Sequence, residues 1–164
     1  VELVYQTSGE FNEKFEQKEL TIVTKLPKTA VLIRADGRHL YRVIENLYNN
    51  VAKYALEKTR VYVDIAYVEE KVVFSIKNVS EHSLARENSN AGDLTERFIR
   101  GDVARNTEGS GLGLSIAQSL TQLQGGTFKL YLDGDLFKVC LSFPQKISPT
   151  ALSAPEDLHS EAHS

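Results

Sequence analysis

The sequence predicts an α/β protein of two layers, with about three helices on one face of a mixed, mostly antiparallel sheet. Two kinds of hydrophobic period carry this expectation. Residues 20–26, 61–67, 72–76 and 128–143 alternate apolar and polar positions, as half-buried strands do, whereas residues 38–54 and 110–124 place apolar side chains every three or four positions. A third observation is the overall composition, 41% hydrophobic and 25% charged over 164 residues, which is that of one ordinary globular domain.

Taken in order, Phe11 and Phe15 stand i, i+4 between Ser8 and Gln17 and suggest a short amphipathic helix. Leu20, Ile22, Thr24 and Leu26 then alternate as a strand that Pro27 ends. After Ala30-Val31-Leu32-Ile33, Asp36 is placed to cap a helix that starts near Arg38 and runs to about Tyr54. Leu40, Val43, Ile44, Leu47 and Val51 form its apolar stripe at 100° per residue. Val61, Val63, Ile65 and Tyr67, then Val72, Phe74 and Ile76, alternate on either side of Glu69-Glu70 and read as a hairpin. Residues 79–108 have no sustained period around one apolar island, Leu94 to Ile99, and a loop this long inside a compact domain is usually functional. A helix from Ser110 to Gln124 follows, with Ile116, Leu120 and Leu123 on one face and Gly125-Gly126 as its stop. Phe128, Leu130, Leu132 and Phe137, Val139, Leu141, Phe143 pair across Asp133-Gly134 as a second hairpin. From Pro144 onward the chain turns to Ser, Pro, Ala, Glu and His, and residues 144–164 read as a disordered tail.

Charge and composition exclude several classes. The formal net charge is −3, which argues against nucleic acid as a partner. No apolar run reaches the roughly 20 residues of a membrane span, and Val1-Glu2-Leu3-Val4 has neither a basic lead nor a cleavage site, so the piece is expected to be soluble. With Cys140 as the single cysteine, no internal disulfide forms, in keeping with a reducing cytoplasm. His39, His82, His159 and His163 lack ligand spacing, and no Ser-His-Asp arrangement is recognisable.

Three stretches bear chemistry. In Glu108-Gly109-Ser110-Gly111-Leu112-Gly113-Leu114, glycines at 109, 111 and 113 let backbone approach a ligand where a helix begins, and free N–H groups there suit a phosphate. The bland alternative is a flexible joint. On the long helix, Asn46, Asn50 and Lys53 recur at i, i+4, i+7 beside the apolar stripe, although asparagine is a poor helix former. An amide oxygen can ligate Mg²⁺, and Lys53 can serve as a point charge near the same phosphates; solvated helix-edge amides are the alternative. Third, Arg97, Arg100 and Arg105 lie in the long loop around Asp102, able to close over phosphate oxygens or simply to be solvated, with Phe98 as an apolar anchor.

Together these stretches resemble the catalytic ATP-binding domain of bacterial sensor histidine kinases, a branch of the superfamily shared with gyrase and mismatch-repair ATPases. The resemblance covers about residues 10–143. Ala35 to Tyr54 looks like the N box and its lead-in, Leu94 to Asp102 like the F box, and Gly109 to Leu114 like the second glycine box that ends the ATP lid. It implies a Bergerat-type ATP-binding fold with ATP and Mg²⁺ as cofactors and a lid over about 79–110. It assigns Asn50 to the metal, Asn46 to the phosphates, and Lys53 and Tyr54 to nucleotide contacts. The loop residues Arg97, Phe98, Arg100 and Arg105, with Gly109, Ser110, Gly111, Leu112, Gly113 and Leu114, would complete the ATP site.

The first glycine box departs from the family pattern. Where the family places Asp-x-Gly-x-Gly, this chain has Asn78-Val79-Ser80-Glu81-His82. Asn78 can still accept a hydrogen bond from the adenine amino group through its amide oxygen. Four residues before Asn50, where the superfamily's hydrolases carry a water-activating glutamate, stands Asn46, while Glu45 is rotated about 100° away. The resemblance therefore implies phosphoryl transfer to a histidine on a separate dimerisation domain, with residues 1–9 left from the preceding hairpin or linker. Its implied partners are that phosphoacceptor domain and a response regulator. The parent is expected to be a membrane-anchored homodimer whose catalytic fragment makes no membrane contact. Two alternatives stay open: a degenerate docking or regulatory module on the same fold, and a serine/threonine kinase of the anti-sigma type.

Overall fold

The computed structural model describes residues 1–29, 31–81 and 112–145. They hold the helices α1 (Glu2–Glu10), α2 (Asn12–Gln17), α3 (Gly37–Tyr54) and α4 (Leu112–Leu123), and the strands β1 (Thr21–Lys25), β2 (Arg60–Val68), β3 (Lys71–Val79), β4 (Thr127–Asp133) and β5 (Leu136–Pro144). The strands make one sheet in the order β1-β2-β3-β5-β4. Only β1 and β2 run parallel, and α3 is the crossover that such a pair requires. The two-layer, mostly antiparallel α/β architecture expected from the alternation is the one observed.

Helix α3 organises the molecule. Asp36 caps it, accepting from the backbone N–H of Arg38 at 2.9 Å and of His39 at 3.2 Å. At the other end the Lys18 ammonium donates to the carbonyls of Lys53 (2.9 Å) and Ala55 (3.2 Å), so a cation sits where the helix dipole is negative. Its buried stripe is Val43, Ile44, Leu47, Tyr48 and Val51. Tyr48, absent from the expected stripe, stacks on Phe15 at 5.8 Å between ring centroids and shares its hydroxyl with Ser8 at 2.7 Å. Leu40 only packs partly against the core. The inward residues Val61, Val63, Phe74, Ile76, Phe128, Leu130, Phe137, Val139, Leu141 and Phe143 complete that core from the sheet. Each large apolar side chain so buried contributes about 1.5–3 kcal/mol.

Several expectations shift. The single helix expected between Ser8 and Gln17 is two helices, and residues 1–9 form most of α1, with Val4 and Thr7 buried in the common core. In α4 the buried residues are Leu114, Ala117 and Thr121, while Leu123 is 72% exposed. Counting the largest side chains misplaced that face, because α4 packs closely beside α3 and small residues permit the approach. The second hairpin turns at Gly134-Asp135, with Gly134 at φ +59°, one residue later than expected. Pro144 closes β5 and Gln145 bridges to Ile33; the rest of the expected tail lies outside the described residues.

Candidate functional site

Asn46, Asn50 and Lys53 lie along one line of α3, spread over about 10 Å of helix. Asn46 stands at the first turn of α4: a Cβ added to Gly113 would lie 3.9 Å from its Oδ1. Its Nδ2 is buried and makes no hydrogen bond among the described residues. Asn50 is half-buried, and Lys53 is exposed in the last turn, with Tyr54 half-buried beside it.

Asn78 is the penultimate residue of β3 and only 2% exposed. Its Nδ2 donates to the Val79 carbonyl at 3.2 Å, and its Oδ1 is buried with no partner among the described residues. The Val79 carbonyl fixes this orientation, since turning the amide over would set two oxygens against each other. One orphaned donor on α3 and one orphaned acceptor at the end of β3 result. A buried polar atom left unpaired costs about 1–3 kcal/mol, which a bound polar ligand recovers.

The backbone ties these elements together. Leu56 N–H donates to the Val79 carbonyl at 2.9 Å, Glu81 N–H to that of Tyr54 at 2.7 Å, and Ser80 N–H to that of Asp135 at 2.6 Å. Residues 79–81 thus prolong β3 toward the end of α3, where a glycine-rich strand exit would otherwise stand. The Gln124 side chain, accepting from Asp36 N–H at 2.7 Å, joins the end of α4 to the start of α3. Sequence reasoning did not single out Lys18 or Gln124, which act on positions 35 to 88 residues away and leave no local signal.

Of the other expected site residues, Leu112, Gly113 and Leu114 open α4. The Leu114 side chain is buried in the core, which leaves its backbone to face a ligand. Arg97, Phe98, Arg100, Arg105, Gly109, Ser110 and Gly111 lie outside the described residues. Among the described residues no three His, Cys, Asp or Glu side chains gather to hold a metal, so a hard cation here would take Asn50 and the oxygens of its ligand. The two main-chain bonds to its carboxylate hold Asp36 below the usual aspartate range.

Residues 35–147 match the family described as histidine kinase-, DNA gyrase B- and HSP90-like ATPase. The chain is 30% identical over 102 residues to the sensor protein GtcS of Aneurinibacillus migulanus, covering 62% of this chain and 27% of that protein. To the sensor protein BasS of Salmonella typhimurium it is 30% identical over 131 residues, covering 79% and 35% respectively. It therefore spans about a third of these relatives or less. In fold it is similar to the catalytic domain of the histidine kinase ThkA, with a TM-score of 0.74 at 21% identity over 88% of this chain and 91% of that one. Full-length ShkA in complex with AMPPNP superposes with a TM-score of 0.71 at 20% identity, over 89% of this chain and 30% of the other.

Proposed function

Because the chain belongs to the histidine kinase-, DNA gyrase B- and HSP90-like ATPase family, as the ATP-binding domain of a sensor histidine kinase, we propose that it holds Mg-ATP against α3 for phosphoryl transfer. The acceptor is a histidine on a separate dimerisation domain of a homodimeric, membrane-anchored parent, which then serves a response regulator. The observation that carries this reading is the pair of orphaned amide atoms, Nδ2 of Asn46 and Oδ1 of Asn78.

In this reading Asn78 Oδ1 accepts from the exocyclic amino group of adenine. Asn46 Nδ2 and the backbone N–H groups of Leu112, Gly113 and Leu114, which open α4, donate to phosphate oxygens, where the helix dipole favours negative charge. Asn50 would hold Mg²⁺, which neutralises part of the triphosphate charge when bound. Lys53 adds a cation at the same end of α3, and Tyr54 contacts the nucleotide. Arg97, Phe98, Arg100 and Arg105 and the segment Gly109-Ser110-Gly111, all outside the described residues, are the further residues this reading gives to the nucleotide. The bond from the γ-phosphorus to the β,γ-bridging oxygen breaks, ADP leaves with that electron pair, and the imidazole nitrogen takes the phosphoryl group. Positioning and charge do the catalysis, with no covalent nucleophile in this chain. Glu45 lies near enough to Tyr41 to raise its pKa, and it is not the residue aligned with Asn50. That favours transfer to protein over hydrolysis.

Calorimetric titration of the folded chain with ATP and GTP, with and without Mg²⁺, tests this. Magnesium-dependent binding selective for ATP is expected, abolished by Asn50→Ala in a variant that keeps its far-ultraviolet dichroism. Absence of binding at millimolar nucleotide would instead identify a degenerate docking module on the same fold.

A further inference from the structure

Among the described residues no helix covers the sheet face opposite the core. Across it runs a row in strand register, Tyr62, Lys77, Lys138 and Tyr131. Lys77 and Lys138 are direct cross-strand partners, an arrangement of like charges that costs stability. Each ammonium stands over the tyrosine on its outer side, Lys77 at 4.9 Å from the Tyr62 ring centroid and Lys138 at 5.7 Å from that of Tyr131. In the next row Lys129 pairs with Cys140, and Cys140 in turn with Ser75. Lys129 and Lys138 both lie close enough to pull the Cys140 pKa down against the larger upward effect of burial. None of the three lysines forms an ion pair among the described residues. Arg60 and Lys25 extend the same face, against Asp64 and Asp133. A chain of net charge −3 thus concentrates cations on one flat surface.

We propose that this face docks an acidic protein segment, its carboxylates seated among Lys77, Lys138 and Lys129 and its apolar atoms against Tyr62 and Tyr131. Charge complementarity sets the sign of the partner. The tyrosines favour a protein over a bilayer, because they are typical of protein interfaces, and the exposed aliphatic residues of this face, Val23, Val68 and Leu136, stand on three different strands among the cations. A like-charge pair in mid-sheet is costly alone and becomes favourable once an anion lies between its members. The proposal does not rest on nucleotide binding, whose described residues lie on α3, α4 and the end of β3.

The test uses the chain as it stands, with a synthetic Glu-Ala repeat peptide as probe and backbone amide shifts as readout. Saturable shifts at Ser75, Lys77, Lys138 and Cys140 are expected. The double variant Lys77→Gln/Lys138→Gln should bind about tenfold more weakly, whereas Lys14→Gln/Lys28→Gln changes affinity less than about twofold. Lys77→Gln alone should raise the thermal midpoint by about 2 °C, as relief of a like-charge pair requires. No saturable shifts, or equal losses in the two double variants, would overturn the proposal. So would tighter binding through the same lysines to vesicles of anionic phospholipid than to the peptide.

Discussion

The side-chain Nδ2 of Asn78 is bound to the carbonyl of Val79 at 3.2 Å, and this one contact leaves the amide oxygen as the atom available to a ligand. A buried oxygen of fixed orientation accepts from an amino group and repels a carbonyl. The chain is therefore expected to bind ATP over GTP by at least about tenfold, a difference of about 1.4 kcal/mol, and Asn78→Ala should erase that ratio in competition titrations. Asn78→Asp adds a second test. Burial and the Val79 carbonyl oxygen would raise the new carboxyl pKa, so ATP affinity should rise with pH as the group ionises, while the wild-type amide gives a flat profile.

Gly113 beside Asn46 allows stability and binding to be separated. An added Cβ meets only Asn46 Oδ1, at an ordinary 3.9 Å, and alanine is the better helix former. Gly113→Ala is expected to stabilise the fold by about 0.5 kcal/mol while crowding the notch and weakening nucleotide binding. Thermal denaturation and calorimetry on one sample read both. Gly126→Ala should do the opposite to stability, since its Cβ would fall 2.5 Å from the Phe143 ring.

The hydrogen bond from Tyr41 to Glu10 joins α3 to α1 and predicts two limbs of pH dependence. Bonding to the carboxylate pushes the Tyr41 pKa up to about 12, above its unfolded value of 10.0, so its contribution is complete below pH 10 and disappears as pH climbs toward 12. The Glu10 pKa is lowered, first by the Tyr41 bond and then by Gln6, so its contribution holds above the unfolded 4.5 and fades as pH falls through the folded value. Asp36 adds to that acid limb below 3.8 through its cap. Tyr41→Phe should flatten the alkaline limb and blunt the Glu10 part of the acid one, leaving the Asp36 part intact, in denaturation followed from pH 2 to 12.

Lys18 is expected to matter more than an ordinary surface lysine, because its ammonium binds two carbonyls at the end of α3. Lys18→Met should cost about 1 kcal/mol and Lys18→Arg less. Loss of nucleotide affinity in Lys18→Met beyond its loss of stability would show that the cap also holds Lys53 and Tyr54 in place.

The sequence alone determined whatever has a local period. Alternation gave the strands and both hairpins, a 3.6-residue repeat gave α3, Asp36 marked its start, and the i, i+4, i+7 spacing aligned Asn46, Asn50 and Lys53. Tertiary structure decided what depends on distant partners. That α4 buries Leu114, Ala117 and Thr121 depends on how closely α3 approaches. That, among the described residues, Asn46 is left with an unpaired donor and Asn78 with an unpaired acceptor depends on which atoms of each amide the surrounding fold already uses. Lys18, Gln124 and the Lys77–Lys138 pair likewise meet their partners across 35 to 88 positions of sequence. A periodicity is a property of one segment, whereas a hydrogen bond or a charge contact exists only once two segments have been packed together.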